Sequence, residues 1–153
     1  MPYGANDRFA MPAILNDAGQ PTAIALEAAA GDKFVYTILE PCVVLAFRLL
    51  ATVAMNYDTL TTAAKVALDR RVTFASDTGR VQLVELTIPQ GLAAGKFLYK
   101  KFAPVKMLPG EQLVVEVTTQ GAGGTEAGDW LPVIIVAPVP ETEGNIAAMV
   151  ASA

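Results

Sequence analysis

The stretch from Val43 to Met55 restricts the fold more than any other part of this sequence. Val43, Leu45, Phe47, Leu49, Ala51 and Val53 alternate with Val44, Ala46, Arg48, Leu50, Thr52 and Ala54, and both sets are largely apolar. The β-branched residues and Pro41 just upstream disfavour a helix. A strand with two apolar faces has to be covered on both, by its own domain or by a neighbour.

The rest of the chain reads the same way. Phe34–Leu39, Val81–Ile88, Lys96–Phe102, Gln112–Thr118 and Trp130–Val136 are rich in β-branched and aromatic residues. Lys65–Val72 is compatible with a strand or a short helix and is read as a strand. Turn clusters separate these runs: Asn56–Thr62, with Asp58 as a possible cap of one helical turn, Ala75–Gly79, Pro89–Gly91, Pro109–Gly110 and Gly121–Gly124. Pro132 favours an edge or irregular position. About eight short strands predict an all-β chain, a β-sandwich of jelly-roll kind. Residues 1–31, with Pro2, Pro12 and Pro21, keep no period for long and read as an extended N-terminal arm or a wrapped segment of the domain. Within them Ala23–Ala30 favours a short helix. The sandwich is assigned to 32–140 and a small-residue tail to 141–153.

Composition sharpens the question of what covers the apolar faces. Hydrophobic residues make up 53% and charged residues 17% of the chain, against about 45–50% and about 25% in typical soluble domains. So few charges on a chain of 153 residues predict self-association or burial in an assembly.

The same inventory narrows the chemistry. A formal charge of −4 and no basic stripe argue against nucleic acid. Arg70–Arg71 and Lys100–Lys101 are only pairs, and on a strand their members would point to opposite faces. The absence of histidine removes the commonest acid–base residue and imidazole metal ligand. Cys42, the single cysteine, sits among apolar neighbours and reads as a buried structural thiol. No signal peptide is visible, and the Cys42–Met55 stretch carries Arg48 and falls short of the ~20 residues of a membrane helix, so the chain reads as soluble.

Gly91–Lys96 lacks the spacing and the hydroxyl of a phosphate loop, and Glu126 stands where a dinucleotide fingerprint needs its third glycine. Ser76 has no partner signature for a nucleophile. Asp69, Asp77, Glu85, Glu116 and Asp129 are the carboxylates from which a histidine-free hydrolase would have to draw a pair. Glu85 and Glu116 are expected to face solvent or a subunit contact, and Asp77 to shape its turn. Trp130 and Tyr57 are the aromatic candidates for a carbohydrate platform, although Trp130 leads an apolar strand and reads as core. No enzyme, cofactor or metal is expected.

Three segments carry a resemblance to a known class. Phe74–Arg80 with the strand to Ile88, then Pro89–Lys96, then Leu108–Val115 together resemble small tailed-phage virion proteins, most of all capsid decoration (cement) proteins, over about residues 31–140. The resemblance implies a homotrimer on the outer surface of an icosahedral shell, at or near three-fold positions. There it would bridge major capsid protein subunits against internal DNA pressure, with assembly in the host cytoplasm. It supplies no catalytic residue. On this reading Val43, Leu45, Phe47, Leu131, Val133 and Ile135 serve self-association, while Tyr3, Phe9, Met11, Ile14 and Leu15 of the arm reach the capsid protein. Preferential binding to the assembled lattice would stabilise it by linkage, and several weak contacts would add avidity. The alternative is a carbohydrate- or receptor-binding β-sandwich module of a virion fibre or tail.

Overall fold

The computed structural model describes residues 9–10, 22–57, 62–73, 76–122 and 126–139. Its strands are β1 (Phe9–Ala10), β2 (Ile24–Ala25), β3 (Gly31–Thr37), β4 (Cys42–Tyr57), β5 (Lys65–Arg71), β6 (Val81–Thr87), β7 (Phe97–Tyr99), β8 (Val105–Met107), β9 (Gln112–Thr119) and β10 (Glu126–Pro138). All the pairings are antiparallel. The larger sheet has the order β1-β10-β4-β7, with β2 also on β10 and β8 also on β4; the smaller has the order β3-β9-β5-β6. One apolar cluster joins them, with Phe47, Leu49, Trp130 and Ile134 from the larger sheet against Val66, Leu68, Leu113 and Val115 from the smaller. The chain is a β-sandwich, and the pairing by itself does not establish a jelly-roll order.

The long β4–β10 pair carries the larger sheet, and its register explains where the sequence alternation breaks. Val136 pairs with Val44 while Ile135 pairs with Ala46, so Leu45 is an extra residue, a β-bulge. Val44 and Phe47 are both fully buried, and Leu45 and Ala46 between them are not. The expectation of one continuous face from Val43 through Leu45 to Phe47 is therefore corrected: Phe47 points into the core, while Val43 and Leu45 are half-buried with Arg48. Further along, Val53 is exposed, and two more register shifts fall between Ala127 and Trp130.

Other expectations are corrected by the pairing. Ala23–Ala30 forms no helix; Ile24–Ala25 pairs with Asp129–Trp130, and a turn follows in which Ala28 N–H donates to the Ala25 carbonyl at 3.0 Å. Burial of Leu26 in the core outweighs the helix propensity of the alanines. β4 continues through Asn56 and Tyr57, where a loop was expected; Asp58 lies outside the described residues. Strand pairing after Lys96 ends at Tyr99. Pro132 lies in β10 between the contacts of β1 at Ile135–Val136 and of β2 at Asp129–Trp130, where one edge of the strand carries neither. That is a place where a missing N–H costs least. Pro109–Gly110 makes the expected tight turn, with Gly110 at φ 90° and Glu111 N–H donating to the Leu108 carbonyl at 3.1 Å.

Candidate functional site

The outward side of the larger sheet is assembled from β4, β7 and β10. Arg48 pairs with Tyr99 and Leu50 with Phe97, so both aromatic rings flank the Arg48 side chain. The guanidinium carbon lies 5.9 Å from the Phe97 ring centre and 5.8 Å from that of Tyr99, within cation–π range. Leu98, between them, packs against the core. After Tyr99 the chain leaves the edge of β4 and returns as β8, pairing at Val44. Leu45–Phe47 thus lies between the β7 and β8 pairings and has neither as a partner.

This gap opens a groove of about 650 Å³, lined by Arg48 between its cross-strand neighbours Val133 and Tyr99, by Phe97 and Ile135, and by the exposed Lys100 and Lys101. Phe102 packs against the core and anchors the 100–104 segment. Phe97 is 46% and Tyr99 62% exposed, large values for aromatic side chains.

The charges here differ from those elsewhere. Arg70, Arg71 and Arg80 each meet a carboxylate, at 2.6, 3.5 and 2.7 Å. Arg48 meets none among the described residues, and its Nε is buried without a hydrogen-bond partner. Lys100 and Lys101 are exposed beyond the end of β7, so the expectation that strand geometry would separate them is corrected: both line the groove. Sequence reasoning passed over Arg48, Phe97 and Tyr99. Their signal was a cation inside an apolar run and two aromatics at i and i+2.

Of the residues expected to self-associate, Val43, Leu45, Leu131, Val133 and Ile135 are half-buried on the larger sheet. Phe47 is 0% exposed and is withdrawn from that set. Phe9 pairs through its backbone with Val136 of its own domain. Tyr3, Met11, Ile14 and Leu15 lie outside the described residues.

The smaller sheet has a different character. The Arg80 guanidinium meets Asp69 at 2.7 Å, Asp32 at 2.8 Å, Glu116 at 2.9 Å and Asp77 at 3.1 Å. Hydrogen bonding, first of all from Asp32, holds Arg80 above its ordinary value against the opposing effect of burial. Glu116 is pushed up, mainly by burial and then by the neighbouring Asp69 carboxylate. Its side chain, expected to face solvent or a subunit contact, stays 31% exposed while it pairs with Arg80. Asp77 likewise does more than shape its turn, because it joins Arg71 as well as Arg80. Glu85 meets Lys65 at 3.9 Å and accepts from the Thr118 hydroxyl at 2.8 Å. Among the described residues no three acidic or thiol side chains are placed to hold a metal ion.

The remaining candidates resolve simply. Ser76 Oγ accepts from Thr78 N–H at 3.2 Å, a turn contact. The Cys42 thiol is buried, and its pKa is raised by that burial and then by the charge of Glu111. Trp130 is 1% exposed, so it is core and cannot form a carbohydrate platform; the side chain of Tyr57 lies outside the described ones. No helix among the described residues is long and apolar enough to cross a membrane. Comparisons with protein-family models, curated proteins and solved structures find no match for this chain.

Proposed function

We propose that this chain is a non-enzymatic structural subunit of a virion, a decoration protein that binds the outer surface of an icosahedral shell as a trimer and bridges its major capsid protein subunits. The observation that carries the reading is the outward side of the larger sheet, where Val43, Leu45, Leu131, Val133 and Ile135 remain half-buried beside exposed Phe97 and Tyr99. Apolar surface of this kind is better explained by a protein contact than by solvent. The carboxylates that a hydrolase would need are instead engaged by arginines or lysine in the case of Asp69, Asp77, Glu85 and Glu116.

The test is the absolute mass of the purified protein by size-exclusion chromatography with light scattering over a dilution series. The expected mass is three times 16.1 kDa, and Leu131→Asp, outside the Arg48 groove, is expected to lower it. A monomer at every concentration removes the trimer from the reading, and a trimer indifferent to Leu131→Asp removes this face from it.

A further inference from the structure

We propose that the Arg48 groove is a binding site for a carboxylate carried on an apolar peptide segment of a partner protein. The inference rests on the assembly role above and names the chemistry that this face recognises. A buried guanidinium nitrogen with no acceptor is costly, and a carboxylate is an acceptor that also matches its charge. The rings of Phe97 and Tyr99 hold the guanidinium from the side without satisfying its donors. Lys100 and Lys101 add positive charge at the rim of a protein whose net charge is −4, so the groove is a local reversal of sign.

The rest of the lining is apolar, including Leu45, Val133 and Ile135. The groove's 650 Å³ falls within the ~300–1,000 Å³ of sites that take small ligands. A peptide is favoured over a free lipid because Leu45–Phe47 pairs with neither β7 nor β8 there, leaving a length of strand edge beside the cation. Main-chain pairing to such an edge with side chains in adjacent pockets is an established mode of peptide capture. A two-fold contact centred on the groove is disfavoured, because it would set Arg48, Lys100 and Lys101 against their own copies.

The probe is a blocked pentapeptide, acetyl-Leu-Leu-Glu-Val-Leu-amide, titrated into the ¹⁵N-labelled full chain beside its Glu-to-Gln counterpart. The expected result is saturable shifts at the amides of Leu45–Arg48 and Phe97–Phe102, with the Gln peptide binding about tenfold more weakly. Added salt should weaken only the Glu peptide. Arg48→Met is expected to abolish the discrimination between the peptides, and the exposed pair K100Q/K101Q to reduce it even where Arg48→Met fails to fold. Equal binding of the two peptides, or shifts confined to another face, overturns the proposal. Saturable binding of dodecanoate without response to either peptide overturns it in favour of a lipid. An Arg48→Met change in oligomeric mass overturns it in favour of a second copy. A trimer that binds neither peptide sinks this inference alone, whereas a monomer that discriminates between them sinks only the trimer.

Discussion

Asp69 Oδ1 is buried with no hydrogen-bond donor among the described residues, and Glu116, whose carboxyl is pushed up by burial and by Asp69, stands beside it. A protonated Glu116 would supply the missing donor, while its ionised form adds charge to a cluster that already holds Asp32, Asp69 and Asp77 around Arg80. The folded chain therefore takes up this proton at higher pH than the unfolded chain, where glutamate titrates near 4.5. The stabilisation from Glu116 protonation is fully present below the unfolded value and is lost as pH rises through the folded one. Glu116→Gln keeps an acceptor for Arg80 and gains a permanent donor for Asp69. The variant should be more stable than the parent at pH 7, by a margin that shrinks toward pH 4. Urea denaturation at several pH values, followed through the fluorescence of the single tryptophan, Trp130, measures this; a margin independent of pH would count against it.

At the scale of the element, the bulge in β4 separates two neighbours of similar chemistry. Phe47→Ala removes a fully buried ring and should cost about 3–5 kcal/mol. Leu45→Ala, on a half-buried residue at the bulge, should cost about 1 kcal/mol or less in the isolated domain. Denaturation midpoints with unchanged slopes check both, and equal losses would contradict the assigned faces. The contrast also marks what could be read from the sequence. Period and turn chemistry disclosed β3, β6, β9, β10 and the Pro109–Gly110 turn, because those signals are local, while β5 was compatible with a short helix until its pairing with β6 and β9 decided it. The bulge was not legible, since Val44, Leu45 and Ala46 are all apolar and only their pairing with β10 decides which residue is extra. The groove was half legible for the same reason: Val133 and Ile135 follow from alternation, whereas Arg48 joins them only through the register. The Arg80 cluster draws Asp32 from β3, Asp69 from β5, Asp77 from a turn and Glu116 from β9, and no spacing along the chain encodes that meeting.

For the molecule as a whole, the two sheets divide the work. The smaller sheet places arginines among carboxylates; the larger one leaves apolar surface and a cation unmatched. The N-terminal region belongs to this second sheet, because β1 and β2 both pair with β10 and Leu26 enters the core. Truncation should therefore act in two steps. Removing residues 1–8 leaves both pairings in place and should lower stability less than the longer truncation. Removing 1–31 takes away β1, β2 and Leu26 and bares an edge of β10, which should lower stability and promote aggregation. Thermal melts with light scattering distinguish the steps, and equal behaviour of the two truncations would show that the pairings add nothing.

Leu45 has one further consequence. Deleting it in thought leaves Cys42 and Val44 inward, Val43 and Ala46 outward and Phe47 inward, so every other side chain of β4 keeps the face it has now. The interior of this sandwich does not need the residue. Its deletion would take one apolar side chain from the groove while sparing the core, and the gap between the β7 and β8 pairings would remain.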